Sequence, residues 1–155
     1  MTKIGVIADS HRAMHKLRAA MDALHDCSFI VHLGDHDSDM EEFYPLGNKL
    51  RIVSGNCDLF SNSPGLLTMQ VEGVKIMAAH GDAYGVKYGL TRYMFKAKSE
   101  NVRLALYGHT HIRNMETDGE LTLLNPGALK DGRYAVITVD GDAFSVEFRE
   151  TPTGI

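Results

Sequence analysis

Leu104-Ala105-Leu106-Tyr107-Gly108-His109-Thr110-His111 is an apolar run that ends in a glycine and two histidines one residue apart. The run reads as a short buried strand. Two imidazoles at the mouth of a strand fill a core poorly. They hold a metal ion well, because neutral imidazole is the commonest nitrogen ligand for transition metals. Alone, an H-x-H pair is weak, since short motifs also arise by chance. Its weight depends on whether the chain ends other strands in the same chemistry.

Four further strands do. Residues 3–8 form a β-branched run that stops at Asp9-Ser10-His11. Residues 29–33 stop at Gly34-Asp35, residues 50–53 at Ser54-Gly55-Asn56-Cys57-Asp58, and residues 74–79 at His80-Gly81-Asp82. Between the first two, Met14, Leu17, Met21 and Leu24 recur at helical spacing, predicting a helix over residues 13–24. Residues 38–47 predict a short helix and a turn, and residues 86–98 a longer helix. Glu72-Gly73, Asp118-Gly119 and Asp140-Gly141 are hairpin signals among strands at 66–71, 74–79, 113–117, 120–124, 134–139 and 143–148. Residues 151–155 read as a loose tail.

The front half alternates strand and helix, which implies parallel pairing with crossover helices, whereas the back half is rich in hairpins. One domain over residues 1–155, with two sheets face to face and helices outside, reconciles the halves. In open α/β sheets, sites form beyond the carboxyl ends of strands. There the chain would gather Asp9, His11, Asp35, Asn56, His80, His109 and His111. These seven donors exceed what one ion needs and suit two metals bridged by one carboxylate. Gly34, Gly55 and Gly108 permit the tight turns and close backbone approach.

Composition sets outer bounds. With 155 residues, 44% hydrophobic and 23% charged, the chain is an ordinary soluble globular protein able to bury a core without staples. A net charge of −4 argues against a general nucleic-acid or membrane binder. Cys27 and Cys57 make no disulfide framework, and the apolar run from Ile4 to Ala8 is cut by Asp9, too early for a signal peptide. A cytoplasmic location is therefore expected.

The blocks Asp9-Ser10-His11, Gly34-Asp35, Gly55-Asn56, His80-Gly81 and Gly108-His109-Thr110-His111 resemble the metallophosphoesterases, or calcineurin-like phosphoesterases. The length and the Gly55-Asn56-Cys57-Asp58 variant look most like the small bacterial and archaeal phosphodiesterases. Asn125-Pro126-Gly127 is a weaker further match, and the resemblance spans residues 3 to about 139.

The resemblance implies a four-layer α/β-β/α sandwich of two mixed sheets flanked by helices. It assigns Asp9, His11 and His111 to one metal and Asn56, His80 and His109 to the other, with Asp35 bridging. It also implies a hydrolase that cleaves phosphodiester bonds by in-line attack of a metal-bridging hydroxide. Manganese is the metal expected first, with Fe, Zn or Ni as alternatives. Two divalent cations against the carboxylates of Asp9 and Asp35 and one hydroxide leave the centre at about +1, suited to a phosphate ester although the chain is acidic. A small-molecule or nucleotide phosphodiester is the expected substrate, and a homo-oligomer is open.

Cys57 departs from the family pattern. Many members carry histidine there, able to protonate the leaving oxygen, whereas a thiol is a weaker donor on a shorter side chain. Diesters and activated esters should therefore be favoured over alkyl monoesters. Asp58 loses its usual histidine partner and is left to orient the loop. Arg12 reads either as a contact to a non-reacting phosphate oxygen or as a solvated start of the first helix. His36 reads as a loop histidine before it reads as a substrate contact or proton donor.

His15 and His25 read as surface residues and His32 as a strand histidine, with a supporting role at the site as the alternative. Lys87, Arg92, Lys96 and Lys98 read as a solvated helix face. A phosphomonoesterase is the enzymatic alternative. A protein-interaction scaffold, as in the retromer subunit of this fold, is the other; it has no physical need for seven intact donors.

Overall fold

The computed structural model describes residues 1–152. Ten strands form two mixed sheets of five. In the first sheet the order is β10 (Ala143–Glu150), β9 (Arg133–Asp140), β1 (Thr2–Ile7), β2 (Phe29–His32) and β3 (Leu50–Ile52). In the second it is β4 (Leu66–Val71), β5 (Val74–Ala79), β6 (Leu104–Leu106), β8 (Leu121–Asn125) and β7 (Asn114–Asp118). β1, β2 and β3 run parallel, as do β5, β6 and β8, while the hairpin partners run antiparallel.

Side-chain alternation along each strand divides the apolar residues between two faces. Ile4, Val6 and Ala8 meet Ile76, Ala78, Leu104, Leu106 and Leu124 in the layer between the sheets. Ile7 and Ile30 face outward under α1 (Met14–Ala23), packing with Leu17, Ala20 and Met21. Met77, Ala105 and Leu123 pack under α2 (Thr91–Ser99) against Tyr93 and Ala97. The result is helix, sheet, sheet, helix. Strands buried on both faces explain why β1 and β6 read as continuous apolar runs.

The helical predictions need correction at their edges. The helix expected over residues 86–98 is one 3₁₀ turn, Val86–Tyr88, then a break at Gly89, whose φ of 138° excludes helix, and α2 beyond it. The segment expected over 38–47 is a 3₁₀ stretch, Asp37–Lys49, kinked at Gly47 and containing Pro45. The tail expected from residue 151 is not loose at its start: Thr151 N donates to Gly132 O at 2.7 Å. Residues 153–155 lie outside the described residues.

Candidate metal centre

The parallel strands of both sheets point their carboxyl ends the same way. Asp9 and His11 follow β1, Asp35 follows β2, Asn56 follows β3, His80 follows β5, and His109 and His111 follow β6. The sheets pack so that these loops meet. His109 N donates to Asp9 Oδ2 at 3.1 Å, and Gly108 N donates to His80 O at 2.9 Å. The β2 and β3 loops touch backbone to backbone: a side chain on Gly34 would meet Gly55 N at 2.6 Å. Only glycine fits that approach.

Backbone strain is concentrated here. Among the described residues nine non-glycine residues have positive φ, and seven of them are Asp9, His11, Arg12, Asp35, His36, His109 and His111. Left-handed backbone at a residue other than glycine is unfavourable and persists only where the surroundings impose it, most often at functional sites. Here it turns side chains from loops on two sheets toward one point.

Two donor groups result. Asp9, His11, Asp35 and His111 bring ligand atoms within 4.8 Å of one another, and so do Asp35, His80 and His109. Asp35 is common to both. His111 Nε2 lies 3.4 Å from Asp9 Oδ1, His11 Nε2 lies 3.7 Å from Asp35 Oδ2, and His80 Nε2 lies 3.3 Å from Asp35 Oδ2. His80 Nε2 and His109 Nδ1 are 3.1 Å apart. Ligands about 2.1 Å from a common ion stand roughly 3.0–3.4 Å apart at octahedral or tetrahedral angles, so these spacings suit cation binding.

Two further observations fit a cation. Asp9 Oδ1 and His11 Nε2 are buried without a hydrogen-bond partner among the described residues. Such atoms are costly to leave unmatched, and a bound ion removes the cost. His80 Nδ1 contacts Leu33 O at 2.8 Å. A carbonyl only accepts, so Nδ1 carries a proton and Nε2 is the atom turned toward the cluster, where the neutral ring offers its lone pair, an arrangement typical of ligating histidine.

Electrostatics follow burial and charge. Burial pushes Asp9 up to about 6, and the negative charge of Asp35 adds to this against the opposing pull of His80. Burial also works on Asp35, but contacts with His80 and the Cys57 N–H outweigh it and hold that carboxyl well below its usual range. Burial opposes charge on His80, yet Asp35 and Asp9 raise its pKa. His11, His109 and His111 are lowered, first by burial. Neutral rings are the form that binds metal.

The accessory residues sort themselves. Asn56 is exposed, its amide nitrogen 3.8 Å from Cys57 Sγ. Cys57 is exposed, and its backbone N–H donates to Asp35 Oδ1 at 3.0 Å. Asp58 is a clamp: Oδ2 accepts from Asp35 N and Gly55 N at 2.9 and 2.8 Å, and Oδ1 from Asp37 N at 3.1 Å. The His36 ring stacks edgewise on His11 at 4.9 Å. Arg12 is exposed, and its N–H is held by Asp39 Oδ2 at 2.7 Å. Both Arg12 and His36 line a cavity beside the donor groups.

Sequence reasoning gave His32 a supporting role only as an alternative and Asn125 only as part of a weak motif. His32 is buried, accepts from Gly34 N at Nδ1 (3.1 Å), and thereby directs Nε2–H to Ser10 Oγ (3.0 Å), which donates to Asp39 Oδ2 (2.8 Å). This chain ties the β1 and β2 loops together. Asn125 donates to Gly108 O at 3.2 Å and Thr110 Oγ1 at 3.0 Å and accepts from Gly127 N at 2.9 Å, fixing the histidine turn. Asparagine at the end of β8 carried that signal only as a weak motif.

The profile of the calcineurin-like phosphoesterase superfamily domain matches residues 2–142. "Probable metallophosphoesterase YsnB" of Bacillus subtilis is 28% identical over 150 residues, covering 92% of this chain and 88% of its own. "Phosphodiesterase MJ0936" of Methanocaldococcus jannaschii is 25% identical over 143 residues, 81% of this chain and 82% of its own. Among solved structures, a Streptococcus pneumoniae protein described as a predicted phosphoesterase superposes with a TM-score of 0.81 at 26% identity, over 99% of this chain and 94% of its own. Chaetomium thermophilum Vps29 superposes with a TM-score of 0.79 at 16% identity, over 98% of this chain and 100% of its own, a likeness of fold alone.

Proposed function

The chain belongs to the calcineurin-like phosphoesterase superfamily, and from that premise we propose that it is a phosphodiesterase dependent on two divalent metal ions. The observation that carries the reading is the pair of donor groups sharing Asp35. Asp9, His11 and His111 would hold one ion, His80, His109 and Asn56 the other, with Asp35 between them. The mixture of carboxylate, amide and imidazole suits manganese, with iron, zinc or nickel as alternatives. When bound, the ions supply Lewis acidity, an activated water for in-line attack at phosphorus, and neutralisation of developing charge.

The chain's own residues orient this chemistry. Asp58 and the Cys57 N–H hold Asp35 from the β3 side, and the Leu33 carbonyl fixes the His80 ring. Asn56 is a neutral ligand, so it binds without cancelling the positive charge that attracts the ester. Cys57 decides the substrate class. Burial and the neighbouring Asp35 push its thiol up, leaving it a protonated, weak donor at neutral pH. Diesters and activated esters, whose leaving groups need little protonation, are favoured over alkyl monoesters. Free Cys27 and Cys57 fit a reducing, cytoplasmic setting; among the described residues no helix is long and apolar enough to cross a membrane.

The test is a metal-stripped preparation reloaded with Mn²⁺ and assayed on bis-p-nitrophenyl phosphate and on a simple alkyl phosphate monoester. Mn²⁺-dependent turnover of the diester, with little of the monoester, is expected. A monoester preference overturns the diester assignment, and absence of any metal-dependent turnover overturns the enzyme.

A further inference from the structure

The loops after β1, β2 and β3 enclose a cavity of about 500 Å³ beside the donor groups, within the size range of small-molecule sites. Arg12, His36 and Cys57 form its inner wall. They adjoin the centre directly, through the His36–His11 ring contact at 4.9 Å and the Cys57 N–H on Asp35 at 3.0 Å. A phosphate ester held at the centre would have this cavity beside it.

Tyr44 and Phe60 line the same cavity. Phe60 is 98% exposed and Tyr44 52% exposed, and Leu59 beside Phe60 is exposed as well. Large apolar side chains left together in water mark a surface that is covered in function. The loop holding Phe60 is ordered by its own hydrogen bonds. Asp58 N donates to Gly55 O at 3.0 Å, Ser61 Oγ donates to Asp37, and Ser63 N donates to Ser61 Oγ at 2.9 Å. The backbone on either side of Phe60 is thus held.

Charge narrows the occupant. Of the three carboxylates that line the cavity, Asp58 is engaged by backbone N–H groups and Asp37 by Ser61, while Glu41 is exposed to solvent. The Arg12 guanidinium has no ion-pair partner among the described residues. A guanidinium and an aromatic ring on the wall of one cavity suit a molecule with an anion at one end and a flat ring at the other. A diester of simple alcohols would leave the rings unused.

We propose that this cavity is a nucleoside subsite, in which a base stacks on Phe60 while Arg12 contacts the phosphate, making nucleotide phosphodiesters the substrate class. The assignment rests on the phosphodiesterase reading above. Base–aromatic stacking corresponds to roughly 5- to 150-fold in affinity.

The test compares kcat/KM for thymidine 5′-(p-nitrophenyl phosphate) with that for methyl p-nitrophenyl phosphate in the Mn²⁺-loaded protein. Both release p-nitrophenol, so the ratio reads the nucleoside alone. A ratio of about 10 or more is expected, falling toward one in Phe60→Ala and retained in Phe60→Tyr. In calorimetry, thymidine 5′-monophosphate should bind about 10-fold more weakly to Phe60→Ala. A native ratio near one, a ratio or affinity unaltered by Phe60→Ala, or equal loss in both aromatic variants overturns the subsite. Turnover of the methyl ester without nucleoside preference refutes the subsite and leaves the diesterase reading standing. If neither ester is cleaved, the diesterase reading fails and the calorimetry still decides whether the cavity takes a nucleotide.

Discussion

Asp58 Oδ2 accepts the backbone N–H of Asp35 at 2.9 Å, so the carboxylate that the family pairs with histidine here grips the residue shared by both donor groups. The same carboxylate takes the N–H groups of Gly55 and Asp37, joining the β2 and β3 loops.

Asp58→Ala removes the acceptor of three backbone donors in a half-buried loop. A loss of roughly 2–4 kcal/mol in stability is expected from hydrogen bonds to a charged group. Metal affinity should fall by about 10-fold or more, because Asp35 loses its orientation. Denaturant unfolding and Mn²⁺ titration check both. Native Mn²⁺ affinity in a folded Asp58→Ala protein would show that the clamp does not position Asp35.

Asn125→Ala attacks the same centre from the second sheet. The buried amide holds Gly108 O, Thr110 Oγ1 and Gly127 N, and its removal leaves the Gly127 N–H inside without a partner. Stability should drop by roughly 2–3 kcal/mol, and metal affinity with it, since His109 and His111 flank Thr110. Unfolding curves with and without Mn²⁺ report the two effects; a variant as stable as the native chain contradicts the assigned role.

Metal binding should release protons, and more of them at lower pH. Burial sets the Asp9 carboxyl at about 6 in the metal-free protein, so it is about half protonated at pH 6 and ionised at pH 8. Calorimetric Mn²⁺ titrations in buffers of different ionisation enthalpy count the protons. A release that does not increase from pH 8 to pH 6 would contradict Asp9 as a ligand.

His32 gives a pH dependence of stability with a definite sign. Burial lowers its pKa from 6.5 to about 4, so between those values the unfolded chain binds more protons than the folded one. Its contribution is fully present above about pH 6.5 and is lost as pH falls toward 4, on the order of 3 kcal/mol in all. Asp9, raised from 3.8 to about 6, acts in the opposite sense over part of this range in the metal-free chain. The native protein alone therefore hides the effect. The stability difference between native and His32→Asn proteins isolates it, and that difference should shrink as pH is lowered from 7 to 4.5. A constant difference would be incompatible with a neutral buried His32.

Cys57→His restores the side chain that many relatives carry. An imidazole beside Asp58 can donate to an alkoxide leaving group, so alkyl monoester turnover should rise, by up to roughly 10²-fold, with little change for p-nitrophenyl diesters. Steady-state kinetics on both substrates decide it. No gain on the monoester would place the donor elsewhere, with His36 the next residue to substitute.

The strands were legible because burial on both faces writes itself as short apolar runs, and the two-residue hairpins because Asp-Gly and Glu-Gly mark them. The helix boundaries near Gly89 and Gly47 were not, because 3₁₀ turns and α-helix share almost the same spacing of apolar residues. Asp9, His11, Asp35, His80, His109 and His111, the members of the two donor groups, could be named from strand ends, since their chemistry is local to each loop. A loop-orienting role for Asp58 and a supporting role for His32 were open to the sequence, but their partners, and those of Asn125, were not. Each works by accepting or donating to the backbone of a loop distant in sequence, and such partners leave no periodic trace.

The sequence by itself determined the ten strands, the donors at their ends and the presence of two layers of helix, because propensity, alternation and turn chemistry act over a few residues. Only the tertiary structure decided that β9 and β10 return to pair beside β1 rather than extend the second sheet, and that the two sheets meet with their carboxyl ends together. That choice depends on filling one apolar layer between the sheets, a property of the whole chain. It sets Asp9 from the first sheet 3.4 Å from His111 of the second, and brings the donors of four strand ends together.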